Sequence, residues 1–237
     1  MRGDFVTFSP LSGHRRLLSG HRPWRSGHRH RRSSPGCGAA SMRGMSENTA
    51  APTPEQDRAR LKELISELAV VHGTVTLSSG QEADYYVDLR RVTLHHEAAP
   101  LIGRVMLRML EEAGIEYETM GGLTMGADPV ATAMMHAAGA EGRALDAFVV
   151  RKAQKSYGMG RQVEGPGVDG RRVVVLEDTS TTGGSALTAI EGVRRAGGDV
   201  QAVAVIVDRD TGAAERIAEE AGVPYLYAFG KDELGLD

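Results

Sequence analysis

The segment best suited to chemistry is the string VVVLEDTSTTGGS at residues 173–185. Its apolar start predicts a buried strand that delivers two carboxylates, Glu177 and Asp178, to its carboxyl end. Carboxylates can accept hydrogen bonds from the vicinal hydroxyls of a ribose. The amides of residues 181–185 run into a predicted helix, whose N-terminus attracts an anion such as a 5-phosphate. Gly183 and Gly184 let the backbone approach that phosphate closely, so the string predicts a site for a sugar phosphate. The string matches neither the Walker A pattern of P-loop proteins nor the GxGxxG pattern of dinucleotide-binding proteins.

The elements around this string alternate between strand and helix. We predict strands at 117–121, 148–151, 173–176, 203–207 and 225–228, and helices at 97–113, 128–138, 185–196 and 213–221. Thr53 and Gln56 predict a capping box for an earlier helix, and Asp128 is the predicted cap before Pro129. Apolar strands between helices indicate an α/β fold with a parallel sheet covered on both faces. Ligands bind such sheets at the carboxyl ends of the strands.

Charge divides the chain into two parts, which we expect to be a leader at residues 1–44 and one catalytic domain at 45–237. The leader has nine Arg and one Asp, whereas the remaining residues have 19 basic and 30 acidic side chains. An acidic body argues against a nucleic-acid surface, and the lack of a long apolar run argues against a membrane span. Cys37 is the only cysteine, which excludes an internal disulfide and fits a reducing cytoplasm.

The leader has no helical or strand periodicity, and we expect it to be disordered. Three interpretations stay open. Translation could have been assigned from too early a start, since Met42 and Met45 precede ordinary sequence. The leader could instead be a true disordered tail, such as a nucleic-acid-binding arm, or it could be a targeting signal.

The string at 173–185 resembles the PRPP-binding motif of type I phosphoribosyltransferases. Three further segments are similar to orotate phosphoribosyltransferases: TLSSGQEADYYVDLRRVTL at 76–94 resembles their N-terminal hood, GGLTMGADP at 121–129 their pyrophosphate loop, and FVVRKAQKSYGMGRQVEG at 148–165 their mobile catalytic loop. The resemblance spans about residues 55–235, with the hood at about 74–94. It implies the type I phosphoribosyltransferase fold and transfer of ribose 5-phosphate from PRPP to orotate, in pyrimidine biosynthesis.

The resemblance also implies roles for individual residues. Asp178 with Glu177 would hold the ribose hydroxyls, and Thr181 and Arg209 would contact orotate. The 5-phosphate would lie in the loop of Thr179, Ser180, Thr181, Thr182, Gly183, Gly184 and Ser185. The pyrophosphate would be neutralised by Arg151, Lys152 and Lys155, with Tyr157 nearby. Catalysis would fall to Lys155, Lys152 and Asp178, with Mg²⁺ carried by PRPP rather than by a dedicated site.

The resemblance implies a cytoplasmic homodimer in which the mobile loop reaches the neighbouring subunit's site. Two residues depart from the family pattern. Tyr157 stands where many members have His, so an acid role there is in doubt because a phenol is a poorer proton donor near neutral pH. Ser78 stands where many have Lys, a charge that Arg90 or Arg91 could replace.

Other functions remain possible from the sequence. Another PRPP-dependent base phosphoribosyltransferase would share residues 173–185 but not the loop and hood. A PRPP-binding RNA regulator would need a basic face, which the acidic body does not supply. A bifunctional enzyme with an added barrel domain would need about 250 further residues.

Overall fold

The computed structural model describes residues 52–76, 82–153 and 161–236. The first helix, α1 (Pro54–Leu68), begins at the predicted capping box: Gln56 N donates to Thr53 Oγ1 at 3.3 Å, and Thr53 N donates to Gln56 Oε1 at 2.9 Å. Two strands then form an antiparallel hairpin, β1 (Val70–Thr76) and β2 (Glu82–Val87). The predicted two-stranded hood is therefore present, but it begins at Val70, and the chain after Val87 turns into a short helix.

The rest of the described chain alternates between helices and strands. Its elements are α2 (Arg90–Thr93), α3 (Ala98–Glu112), β3 (Thr119–Leu123), α4 (Ala127–Ala140), β4 (Asp146–Val150), β5 (Val163–Glu164), β6 (Arg172–Ser180), α5 (Gly184–Arg195), β7 (Asp199–Asp208), α6 (Ala213–Ala221) and β8 (Tyr225–Gly230), followed by a 3₁₀ turn at Asp232–Leu234.

One sheet organises this part of the molecule. Within the described ranges its strand order is β5-β4-β3-β6-β7-β8, and every neighbouring pair is parallel except β4 with β5. Residues along β6 alternate between two cores: Val174 and Leu176 pack with α1, α3 and α4, whereas Val173 and Val175 pack with α5 and α6. Fully burying each such side chain contributes roughly 1.5–3 kcal/mol. The predicted α/β fold with a largely parallel, doubly covered sheet is confirmed.

Several predicted boundaries are wrong; β7, predicted at 203–207, begins at Asp199. The strand predicted at 117–121 lies at Thr119–Leu123, because pairing with β4 and β6 places the five-residue buried run there. The strand predicted at 173–176 continues to Ser180, since β7 pairs with it as far as Ser180↔Asp208. Asp128 is not a cap: α4 begins at Ala127, and Asp128 Oδ2 instead accepts a hydrogen bond from Thr124 Oγ1 at 2.7 Å.

None of the helices in the described part of the chain is both long and apolar enough to span a lipid bilayer.

Candidate active site

A cleft of about 330 Å³ opens at the carboxyl ends of β3, β6 and β7, beside the end of β2. This edge is where ligands bind in parallel sheets. Seven of the residues predicted for the site line it: Lys152, Glu177, Asp178, Thr179, Thr181, Ser185 and Arg209. We refer to this space below as the cleft.

The acid pair lies on the last part of β6, inside the strand rather than after it. Glu177 is only 7 % exposed, and its Oε2 has no hydrogen-bond partner among the described residues. Burial raises the pKa of Glu177, and the neighbouring charge of Asp178 raises it further. Burial also raises the pKa of Asp178, although the amide of Thr179 donates to its Oδ1 at 2.7 Å. Two crowded, partly desolvated carboxyl groups are suited to accept hydroxyl donors or a cation.

The start of α4 packs directly on this pair. A Cβ placed on Gly126 would lie 2.6 Å from Glu177 Oε1 and 2.7 Å from Asp178 Oδ1. Gly126 is the N-cap of α4, so the positive end of that helix dipole faces the carboxylates. A larger residue there would have to displace one of these carboxylates, so glycine lets the segment at 121–129 pack closely against the acid pair. The peptide between Thr124 and Met125, both in the cleft wall, is cis.

The connection from β6 to α5 forms the second wall. Gly183 is the N-cap of α5 with φ +73°, a left-handed conformation that favours glycine, and a Cβ there would lie 3.2 Å from Ile217 Cδ1. No side chain caps this helix, so its first amides keep their capacity to bind an anion. Thr181 and Ser185 face the cleft, whereas Ser180 is 3 % exposed and, with Thr182, Gly183 and Gly184, lies outside its lining.

Cationic side chains enter the cleft from three directions. Lys152 follows β4, Arg209 follows β7, and Arg90 begins α2. Arg90 Nε donates to Asp88 Oδ1 at 2.7 Å, and this hydrogen bond lowers the pKa of Asp88. Burial raises the pKa of Asp178, and the charge of Arg90 opposes part of that rise. Arg90 is thus present at the site. It is one of the two arginines that could replace the positive charge of the lysine that many family members have at the position of Ser78.

Two of the predicted pyrophosphate residues, Lys155 and Tyr157, lie outside the described residues. Arg151 is exposed, and its Nη1 lies 4.0 Å from Glu164 Oε1 on β5, away from the cleft lining. The backbone hydrogen bond from Arg151 N to Gln162 O, 2.9 Å long, closes the base of the hairpin that carries these residues. Strands β4 and β5 therefore hold the two ends of the predicted mobile loop beside each other, and Lys152 at its start lines the cleft.

Sequence reasoning missed some residues of the cleft wall. Asp88, Thr124, Met125 and Gly126 had no individual assignment, although the segment at 121–129 was singled out. The available signal was that this segment follows an apolar strand, whose carboxyl end must share an edge with β6. Asp88 had no such signal, because its position depends on how the hairpin docks.

Comparison with known proteins places this geometry in a family. No protein-family model matches the chain. Orotate phosphoribosyltransferase of Streptomyces coelicolor is 67% identical over 180 residues, which are 76% of this chain and 98% of that protein. The Mycobacterium tuberculosis enzyme of the same name is 60% identical over 181 residues, with the same coverage of both chains.

A solved structure agrees with these relatives. The crystal structure of the M. tuberculosis H37Rv orotate phosphoribosyltransferase in complex with PRPP superposes with a TM-score of 0.66 at 56% identity, covering 76% of this chain and 99% of that one. The resemblance inferred from the four motifs is confirmed. This chain belongs to the orotate phosphoribosyltransferase family.

Proposed function

We propose that this protein transfers ribose 5-phosphate from PRPP to orotate, giving orotidine 5′-phosphate and pyrophosphate in pyrimidine biosynthesis. One observation carries the proposal: the acid pair of β6, the threonine-rich start of α5 and the cations Lys152 and Arg209 all face one cleft. These groups match the three chemical parts of the reactants, namely ribose hydroxyls, phosphates and a carboxylated base. The high identity to named relatives along nearly their full length supports the same reaction.

For PRPP, we assign the ribose hydroxyls to Asp178 and Glu177. Their elevated pKa values support this role, because a hydroxyl donor or a cation compensates for the water that burial removes. We assign the 5-phosphate to the loop of residues 179–185, whose uncapped helix start offers amides to an anion.

For orotate, we assign Arg209 and Thr181. A planar guanidinium pairs with a carboxylate through two parallel charge-assisted hydrogen bonds, and uracil and hypoxanthine lack that carboxylate. The position of Arg209 in the same cleft as the acid pair supports this assignment. Recognition of the carboxylate would make the enzyme selective for orotate over neutral bases.

The reaction breaks the C–O bond at ribose C1 and forms a C–N bond to orotate. Positive charge develops on the sugar while negative charge gathers on the departing pyrophosphate. Lys152, Lys155 and Arg151, with Tyr157 as a hydrogen-bond donor, would stabilise that leaving group. Positioning and electrostatic stabilisation then supply the rate enhancement, and no protein nucleophile is required.

Mg²⁺ fits the donor set if it arrives with the substrate. The part of the chain that the structure describes has no group of three or more His, Cys, Asp or Glu able to hold a metal. Glu177 Oε2 nevertheless lies buried without a partner from those residues, so it can contact a cation held mainly by PRPP oxygens and water. When bound, Mg²⁺ neutralises charge on the pyrophosphate.

A second copy of the chain is the partner we propose for a groove of about 980 Å³ between α2, α3 and α4. Leu94 is 74 % exposed and Met125 66 %, high values for large apolar side chains. The groove meets the cleft at Arg90 and Met125, which line both. In such a homodimer we expect the neighbouring subunit's loop, residues 154–170, to reach each cleft, as the family resemblance implies.

We further propose that residues 1–44 play no part in catalysis and that the enzyme is cytoplasmic. In the S. coelicolor relative, 98% of the protein is covered by 180 residues of this chain, fewer than the 193 that follow residue 44, and this supports a catalytic unit without the leader. Deleting residues 1–44 should leave kcat and both KM values unchanged. A loss of turnover in that deletion, with folding intact by circular dichroism, would contradict this.

The decisive experiment follows the loss of orotate absorbance with PRPP and Mg²⁺, beside uracil and hypoxanthine as alternative acceptors. Consumption of orotate alone, with release of pyrophosphate, is the expected result. Consumption of a neutral base in its place would favour another base phosphoribosyltransferase. Binding of PRPP and RNA without transfer to any base would favour a regulator.

A further inference from the structure

The arginine that we assign to orotate lies at a turn held by a buried carboxylate. Asp208, the last residue of β7, is 7 % exposed. Its Oδ1 accepts a hydrogen bond from the backbone N of Asp210 at 3.3 Å, which closes a turn around Arg209. Asp210 has φ +51°, a left-handed conformation that few residues other than glycine adopt. The turn is therefore specified by a side chain as well as by backbone pairing.

A tyrosine from the neighbouring strand holds the same oxygen. The hydroxyl of Tyr225 donates to Asp208 Oδ1 at 3.1 Å, although Tyr225 begins β8 opposite Val203, several residues away from the turn. Tyr225 packs on the core beneath α5 and α6. Burial raises the pKa of Tyr225 above its ordinary value, so the hydroxyl stays protonated and acts as a donor. Hydrogen bonds to a charged acceptor are among the stronger ones in proteins.

The backbone of Arg209 is tied to the phosphate-loop side of the cleft. Arg209 N donates to the carbonyl of Ser180, the last residue of β6, at 3.1 Å. The turn at 208–210 is thus held on one side by β6 and on the other by Tyr225 through Asp208. Small displacements of a guanidinium matter, because bidentate pairing with a carboxylate requires both alignment and distance.

We propose that Tyr225 is a positioning residue for base recognition: through Asp208, it fixes the turn that presents Arg209 to the carboxylate of the incoming base. This inference rests on the proposed function, since it assumes that Arg209 binds orotate. Tyr225 does not line the cleft. Its hydroxyl also interacts with the side chain of Ser180, which does not line the cleft either, so we expect its effect on the base through Arg209 rather than on PRPP.

The test is Tyr225→Phe, which removes one hydroxyl and keeps the buried ring. We expect the KM for orotate to rise about tenfold, as expected for loss of one hydrogen bond to a charged group, while kcat and the KM for PRPP change less than about twofold. Tyr227→Phe is the matched control. Tyr227 is 49 % exposed on the same strand, with its ring 6.3 Å from that of Tyr225, and we expect no change in any of the three constants.

A double-variant cycle shows whether the effect passes through the arginine. In an Arg209→Met background, adding Tyr225→Phe should cause no further loss in kcat/KM for orotate, because the group being positioned is gone. Additive losses would overturn the proposal, as would equal rises in both KM values. If Tyr225→Phe fails to fold, Asp208→Asn keeps the side-chain volume, weakens the same acceptor and should show the same selective rise.

The wild-type protein separates this inference from the proposed function. If the wild type consumes orotate and Tyr225→Phe leaves its orotate KM unchanged, the positioning role is wrong and the proposed function stands. If the wild type consumes no orotate, the proposed function fails, and the role of Tyr225 in base recognition fails with it.

Discussion

Gly126 at the start of α4 lies directly against Glu177 at the end of β6, where a Cβ on Gly126 would be 2.6 Å from Glu177 Oε1. Real side chains do not tolerate that distance, so any other residue at position 126 must move the carboxylate or the helix start. The same Cβ would lie 2.7 Å from Asp178 Oδ1, so the packing of Gly126 limits the space available to both carboxylates. The helix that covers one face of the sheet thereby sets the geometry of the proposed ribose site.

Gly126→Ala should therefore weaken PRPP binding by about tenfold or more, since a displaced carboxylate pair loses aligned hydrogen bonds worth about 1.4 kcal/mol per factor of ten. Isothermal titration with PRPP and Mg²⁺ measures this. Gly139→Ala on the same helix is the control, because a Cβ there meets nothing within 4 Å and alanine favours the helix. Unchanged PRPP affinity in Gly126→Ala would show that Gly126 does not control the position of the acid pair.

Glu177 should make stability depend on pH. Burial, with the charge of Asp178 adding to it, raises the pKa of Glu177 from its ordinary value of 4.5 to about 8. A raised folded-state pKa contributes stability that is fully present below pH 4.5 and is lost as pH rises through about 8. Glu177→Gln cannot ionise, so it should lack this loss. Even one pKa unit corresponds to about 1.4 kcal/mol, or roughly 3–6 °C in Tm for a domain of this size.

Thermal melts of wild type and Glu177→Gln at pH 5 and pH 9, without ligand, measure the effect. The difference in Tm should favour the variant more at pH 9 than at pH 5, and the variant should bind PRPP more weakly. Glu191→Gln, which changes an exposed carboxyl on α5, is the control. Equal Tm differences at the two pH values would show that Glu177 ionises at an ordinary pKa in the folded protein.

Lys155→Ala should reduce kcat far more than it weakens PRPP binding, because charge on the departing pyrophosphate is larger in the transition state than in the ground state. We expect a loss of kcat of about 100-fold or more, as is usual when an electrostatic stabiliser is removed. Steady-state kinetics and PRPP titration separate the two effects, with Lys62→Ala on α1 as the control. Turnover within about twofold of wild type would remove Lys155 from the mechanism.

Leu94→Glu should dissociate the proposed homodimer, because it places a charge in the groove between α2, α3 and α4. Light scattering after size-exclusion chromatography should give half the wild-type mass. Activity should fall as well, since each cleft would lose the neighbouring subunit's loop. Tyr227→Glu, which changes an exposed apolar side chain on β8 outside the groove, should leave the mass unchanged. A wild-type protein that is already monomeric would contradict the proposed dimer directly.

Local patterns were enough to predict much of this protein. The capping box at Thr53, the apolar run of β6, the two carboxylates after it and the glycines before α5 are contiguous in the chain, and each acts through its immediate neighbours. The α/β class follows from the alternation of such segments. For the same reason, the PRPP motif could be recognised before any contact was known.

Contacts between segments that are distant in the sequence could be identified only from the tertiary structure. The strand β6 continues to Ser180 because β7 pairs with it, and the start of α4 at Gly126 packs on Glu177, which is distant in the sequence. Arg90 reaches the cleft only through docking of the hairpin and α2, and Tyr225 reaches Asp208 on the neighbouring strand β7. Hydrophobic patterning states which face of an element is buried, but it carries no information on which polar partner will meet that element there.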